Sequence, residues 1–352
     1  MNEKYRVIGV MSGTSLDGID IAYCEFVKDT RWAYKILAAE TIEYSSDWKK
    51  KLNNLINENA LEYVSTDIEL GKLLGNSVKE FITKNKIEAD FISSHGHTIF
   101  HQPARSITSQ IGNGAAIAST CKTPVICDFR TKDVFLGGQG APLVPIGDKF
   151  LFGDFDYCLN LGGIANISYE ENSKRRAFDI CPVNQPLNFL ANLIGLEYDN
   201  GGETAAQGNL NSELLEQLNL LSFYEQRPPK SLGREWIDEH FISIIDNFKI
   251  PIPDILRTVC EHIASQISKV LPNDPSKKMI ITGGGAYNSF LIQLLKLKTN
   301  VALVIPEDKL IQYKEALIFA FLGVLRIRNE NNCLSSVTGA SEDCCSGSVY
   351  SN

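Results

Sequence analysis

The chain has 352 residues, 44% of them hydrophobic and 22% charged, a length that suits one large domain or two ordinary ones at about 150 residues each. Its 26 glycines and 13 prolines are thinly spread, which excludes a disordered, collagen-like or low-complexity protein. Acidic residues outnumber basic ones by 42 to 34, for a formal net charge of -8. Such a chain lacks the basic footprint that a nucleic-acid backbone selects, so no nucleic-acid partner is expected.

The longest apolar run, Ala316 to Leu325, has ten residues, against roughly 20 for a bilayer span, so no membrane partner is expected either. The opening MNEKYRVIGVMSG holds no long apolar stretch and no small-residue cleavage site, and the expected address is the cytoplasm. Nine cysteines, from Cys24 to the adjacent Cys344 and Cys345, form no C-x-x-C pair and no zinc-finger spacing. They read as reduced thiols, mostly buried.

In chain order, Tyr5 to Val10, Ile19 to Phe26 and Lys35 to Tyr44 read as three strands of a meander. Ser65 to Lys84 has apolar residues at helical spacing, with Thr66 as its cap. Ala89 to Ser93 and Thr123 to Cys127 read as short buried strands, each emptying into a polar loop, His95 to His101 and Asp128 to Gly140. From Tyr157 the opening order returns: YCLNLGG, IANISYE and RRAFDI form a second set of three strands. This is a pseudo-repeat of two lobes, based on pattern order because residue identities barely match. Helices come next over Asn184 to Ile194 and Pro251 to Val270, then strands over Lys278 to Thr282 and Val301 to Ile305, a helix over Gln312 to Arg328, and a polar tail from Ser335. The alternation predicts an α/β protein.

Five segments can carry chemistry. The turn Gly13, Thr14, Ser15, Leu16, Asp17, Gly18, Ile19 and Asp20 suits phosphate oxygens held by backbone N–H groups, with Asp17 or Asp20 orienting Mg²⁺; it also suits a plain tight hairpin. SSHGHTIFHQP places His95, His97 and His101 within seven residues. No carboxylate or cysteine accompanies them, so contact with a polar ligand or satisfaction by backbone is favoured over a metal. In DFRTKDVFLGGQGAPLVP, Arg130 can clamp an anion or pair with Asp133 to brace a connector. Asp179 precedes a helix at a strand end, where either a general base or a capping carboxylate belongs. Thr282, Gly283, Gly284, Gly285, Ala286, Tyr287 and Asn288 leave flat backbone for a nucleoside, or make a tight strand-to-helix turn.

GVMSGTSLDGID, SSHGHTIFHQP, CDFRTKDVFLGGQGAPLVP, LNLGGIANI, FDICPVN, PPKSLGREW, TGGGAYN, KEALIFAFL and SVTGA together resemble the anhydro-N-acetylmuramic acid kinase family, from about Val7 to Ala340. The resemblance implies a two-lobed, ribonuclease H-like ATPase fold of the actin, hexokinase and Hsp70 type with an interlobe active-site cleft. It implies an N-terminal lobe over 1–135, a C-terminal lobe over 136–334, and a tail over 335–352 that packs back on the first. It also implies a homodimer. The activity implied is ATP- and Mg²⁺-dependent: water deprotonated by Asp179 attacks C1 of 1,6-anhydro-N-acetylmuramic acid, the bridge breaks, and O6 takes the γ-phosphoryl. That serves peptidoglycan recycling and amino-sugar catabolism. By the same likeness ATP is held by residues 13–20, Gly162, Gly163, Gly283, Gly284, Gly285 and Asn288, and the sugar by Thr14, Asp17, His95, Arg130, Asn184 and Glu315.

Departures fall near the site. His97 stands where the family commonly has glutamine, and Cys181 and Val183 stand where it often has glycine. The last residues, SEDCCSGSVYSN, also differ from the family's usual ending after SVTGA. A kinase of another sugar and an ATP-gated scaffold are the alternative readings on the same fold.

Overall fold

The computed structural model describes residues 3–13 and 16–351. Among them the strands are β1 (Glu3–Ser12), β2 (Gly18–Lys28), β3 (Trp32–Glu43), β4 (Phe91–Ser94), β5 (His97–Gln102), β6 (Ile107–Ile111), β7 (Val125–Cys127), β8 (Tyr157–Leu161), β9 (Ile164–Glu171), β10 (Lys174–Pro182), β11 (Lys278–Thr282), β12 (Ala302–Val304) and β13 (Ser348–Tyr350). The chain forms two compact units, residues 1–152 with 313–352, and residues 153–312.

The first unit's sheet runs β13-β7-β4-β1-β2-β3. β1 is parallel to β4 and antiparallel to β2, and β4 is parallel to β7. From Val7 to Ser12 every residue of β1 is buried, as a strand covered on both faces must be, which is why it reads as a continuous apolar run. The edge strand β3 shows the half-exposed pattern of one open face. The helix Ala60–Asn85 packs Leu70, Leu74, Val78 and Phe81 into the core with Ile8, Ile21 and Ile92. It starts six residues before Thr66: Asn59 accepts from the Leu61 and Glu62 N–H groups and so caps it, leaving Thr66 buried in its interior. The expected polar loop after β4 instead enters the β5–β6 hairpin.

The second unit's sheet runs β10-β9-β8-β11-β12. β9 is antiparallel to both β8 and β10, while β8, β11 and β12 are parallel. This is the order of the first sheet, third-second-first-fourth-fifth with the second strand reversed. Each unit therefore carries the ribonuclease H-like sheet, and the expected repeat lies in topology. The helix Ile252–Lys269 buries Ile255, Leu256, Val259 and Ile263 against Leu159 and Ile281.

The division differs from one at 135/136 and 334/335. The helix Val144–Leu151 and most of the helix Asp308–Ile327 belong to the first unit, because packing and charge bind them there. Gly147 lies against Ile318, Phe152 meets the Tyr34 ring at 5.4 Å, and Ser93 donates to the Phe319 carbonyl at 2.5 Å. A buried ion pair joins the two helices: Lys314 Nζ lies 2.8 Å from Asp148 Oδ1 and 5.3 Å from the Phe152 ring centre. The tail returns as β13, antiparallel to β7.

Removing one member of a buried pair strands the other's charge. Lys314→Ala is therefore expected to lower stability by about 3–5 kcal/mol, whereas Lys314→Met combined with Asp148→Leu costs far less. Urea denaturation of the three proteins measures the difference.

Candidate active site

The first unit brings together the ends of β1 and β4, the Arg130 segment and the start of the last long helix. After β1 the chain turns through Gly13 to Asp20, closed by a Leu16 N–H to Gly13 carbonyl bond of 3.2 Å, with Leu16 at φ 58. Thr14 and Ser15 lie outside the described residues. Asp17 is exposed, Gly18 and Ile19 are buried in the start of β2, and Asp20 is half-buried. Thr41 of β3 donates to Asp20 Oδ1 at 2.6 Å. Burial, and then the charge of Asp17, raise the Asp20 carboxyl against that bond. Two neighbouring carboxylates, Asp17 and Asp20, offer oxygen ligands of the kind that suits a hard cation such as Mg²⁺.

His95 is nearly fully buried. Its Nδ1 lies 2.8 Å from the Gly96 carbonyl, and Arg130 reaches its Nε2 through Nε at 3.1 Å and Nη2 at 2.9 Å. Guanidinium only donates, so Nε2 must be the bare acceptor and Nδ1 the protonated nitrogen. Burial and the Arg130 charge both hold the imidazole far below its ordinary pKa. Both ring nitrogens are thus committed, and His95 orients Arg130 rather than offering a free hydrogen bond to a sugar. Arg130 also donates through Nη1 to the Gly140 carbonyl at 2.6 Å, which ties it to the glycine-rich segment. The expected Arg130–Asp133 brace takes another form: Asp133 accepts from Gly140 N–H and Thr338 Oγ1.

His97 bonds Ser12 Oγ at 3.0 Å, and Ser12 meets Tyr44 OH at 2.8 Å, a buried polar chain beneath the entrance to the turn. His101, on the exposed side of β5, bonds Thr108. Glu315 is open to solvent yet densely ringed by protein, which raises its carboxyl, while Arg130 pulls it down and Asp20 pushes it up. Arg130, Asp20 and Glu315 form one electrostatic group.

The second unit gathers the glycines. Gly283 ends β11 at φ 82, and a Cβ there would come within 2.7 Å of Asn160 Oδ1 and 2.8 Å of Leu161 backbone; only glycine fits. Asn184 N–H donates to Gly162 and Val183 N–H to Gly163, while Asn184 Nδ2 donates to the Leu161 carbonyl at 3.1 Å. Gly284 and Gly285 face Asn184. Asn184, expected at the sugar, therefore sits in the glycine cluster with Gly162 and Gly163. The Asn288 side chain accepts from Leu291 N–H and caps the helix Ser289–Lys298. Asn160 is the residue that reading LNLGG as a strand overlooked.

Asp179 lies within β10, beside an irregularity between Asp179 and Cys181, and Val183 rather than Asp179 precedes the helix Asn184–Asn192. Its Oδ2 accepts from Leu232 N–H at 2.9 Å, and its own N–H donates to the Lys230 carbonyl. Among the described residues Oδ1 accepts no hydrogen bond. Burial raises the carboxyl and the Leu232 N–H opposes it. A carboxylate with one oxygen held, the other bare and its proton affinity increased is fit to be a base. Cys181 is fully buried, and burial pushes its thiol above the ordinary range, which unsuits it as a nucleophile.

His95, His97 and His262, the last pushed down to about 3 by burial, are neutral in the folded protein and free to protonate when unfolded. The unfolded chain therefore binds more protons below about pH 6.5, and stability falls on acidification through that value. Chemical denaturation between pH 8 and about 5 tests this, with NMR expected to find His95 still neutral at about pH 6.

Comparison with known proteins gives one consistent answer. The family profile described as anhydro-N-acetylmuramic acid kinase matches residues 5–352. A protein of that name from Francisella tularensis subsp. novicida is 36% identical over 97% of this chain and 97% of its own length. Another from Sulfurovum sp. is 35% identical over 99% of both. Among solved structures, the (R)-2-hydroxyglutaryl-CoA dehydratase component A of Acidaminococcus fermentans aligns over 90% of this chain and 96% of that one, at 14% identity and a TM-score of 0.46. The chain belongs to the anhydro-N-acetylmuramic acid kinase family.

Proposed function

We propose that this enzyme, an ATP-using sugar kinase by its family, uses Asp179 as the base that opens the 1,6-anhydro ring. The observation that carries the assignment is the Asp179 carboxylate: Oδ2 is held by Leu232 N–H, Oδ1 has no described partner, and burial raises its proton affinity. Asp179 takes a proton from water as the oxygen bonds C1 of 1,6-anhydro-N-acetylmuramic acid. The C1–O6 bond breaks, O6 bonds the γ-phosphorus, and the bond from phosphorus to the departing ADP oxygen breaks. The products are N-acetylmuramate 6-phosphate and ADP, as cell-wall sugar recycling requires.

Arg130, held in one orientation by His95 and Gly140, supplies fixed positive charge for an anionic group of the sugar, the lactyl carboxylate being the natural choice. Glu315 and Asp17 complete the polar contacts we assign to the sugar, with Thr14. The turn from Gly13 to Asp20 receives the ATP phosphates, and Gly162, Gly163 and Gly283 to Gly285 receive the adenosine. When bound, Mg²⁺ neutralises phosphate charge; Asp20 and Asp17 would hold it. A cytoplasmic homodimer is the form we assign to the enzyme, and light scattering in solution measures that state.

Incubation with ATP, Mg²⁺ and the anhydro-sugar in ¹⁸O-water is expected to give a phosphorylated sugar with label at C1, and ADP only when sugar is present. Sugar-independent ADP release would favour an ATP-gated protein instead. Asp179→Asn is expected to lower turnover by about 10²–10⁴-fold, and near-normal turnover would remove Asp179 from the role. In the active enzyme the acid limb of kcat/KM should lie above the ordinary aspartate range, because burial raises this carboxyl and the base must be ionised.

A further inference from the structure

The ending that departs from the family carries Cys344, which stands in a defined relation to Cys333, two residues before Ser335. Cys333 and Cys344 form an isolated antiparallel bridge. Cys333 N–H donates to the Cys344 carbonyl at 3.0 Å and Cys344 N–H to the Cys333 carbonyl at 3.1 Å. Residues that exchange both bonds across an antiparallel pair have Cα atoms about 5.5 Å apart, inside the span of about 4.4–6.8 Å that a disulfide bridges. Both side chains are buried and reduced.

The frame around the pair is fixed on both sides. Asn332 receives the Ser346 N–H and donates to the Ser346 carbonyl, and Cys333 Sγ approaches the Phe129 carbonyl at 3.6 Å. The nearby Asp133 carboxylate lies within 4.8 Å of both sulfurs, but its two oxygens already accept from Gly140 N–H and Thr338 Oγ1. That leaves the two thiols facing each other as the reactive set. Successive side chains of an extended segment point to opposite faces, and Cys345 accordingly turns its sulfur toward the Arg326 carbonyl.

We propose that Cys333 and Cys344 are an oxidation site, a dithiol that peroxide converts to a disulfide closing the segment between them. The Cys344 sulfur attacks one peroxide oxygen; the S–O bond forms, the O–O bond breaks, and the departing hydroxide leaves as water with the thiol proton. The Cys333 sulfur then attacks Cys344; the S–S bond forms, the S–O bond breaks, and the hydroxide leaves with the Cys333 proton as a second water. Two thiols lose two electrons and peroxide gains them. The contact between the two thiols lowers that of Cys344 and raises that of Cys333, which suits Cys344 to be oxidised first. A surface recess of about 300 Å³ is lined by Cys345, Ser346 and Gly347, the residues that follow Cys344 in the chain.

The enclosed segment matters to the unit. Its Thr338 carbonyl accepts from Gln139 N–H and its Ser341 N–H donates to the Leu136 carbonyl, so closing it staples the support of the segment that carries Arg130.

The test treats the folded wild-type enzyme with hydrogen peroxide, blocks remaining thiols and maps peptides without reduction. The expected product is lighter by two hydrogens, carries a Cys333–Cys344 link, reverts with dithiothreitol, and melts at a higher temperature than the reduced enzyme. Cys345→Ser should form the same link and Cys344→Ser should not. A link through Cys345, or overoxidation elsewhere with Cys333 and Cys344 still reduced, would overturn the proposal. So would a divalent cation found by native mass spectrometry on Asp133, Cys333 and Cys344 that protects the thiols until a chelator removes it.

Discussion

The closest constraint in the first unit is the approach of β1 to the last long helix. At Gly9 a single methyl group would stand 1.9 Å from the Ala316 carbonyl oxygen, so strand and helix meet backbone to backbone. That contact lies three residues before Ser12, after which the turn from Gly13 to Asp20 begins, and one residue after Glu315. The approach therefore sets the distance between the two chemical segments. The Lys314–Asp148 pair, immediately before Glu315 on the same helix, fixes the helix against the segment after the glycine-rich loop. Its charge partners are buried together, which makes the geometry specific even where the net energy is small.

Electrostatics then assigns states to the side chains that the packing has gathered. A neutral His95 is required by a guanidinium that can only donate, and a fixed Arg130 follows from a neutral His95. Arg130 is the cation that opposes the raised carboxyl of Glu315, which Asp20 pushes the other way. The hydrogen bonds of Arg130 to His95 and Gly140 fix the direction of that charge in the folded chain itself.

In the second unit the same economy is made from backbone. Gly283, Gly285, Gly162 and Gly163 sit where a Cβ would crowd Asn160, Leu161 or Gln185. Asp179 is aimed by the main chain of Lys230 and Leu232, which gives PPKSLG a purpose: it presents an N–H to one carboxylate oxygen and, among the described residues, leaves the other bare.

Local order was legible in the sequence wherever a residue's neighbours along the chain determine its state. The two three-strand meanders, the helices over Ile252–Lys269 and Ala60–Asn85, and the glycines after β11 all show as period, apolar runs or turn chemistry. Their motifs, read together, also identified the family. Tertiary structure alone decided which partners the site residues keep: His95 with Arg130, Lys314 with Asp148, Asp179 with Leu232, Cys333 with Cys344. It also turned a histidine-rich loop into β5, moved the unit boundaries, and made Asn288 a helix cap. Periodicity records which face of an element is buried, whereas a partner distant in sequence is chosen by how whole elements pack, and that choice leaves no mark on either segment by itself.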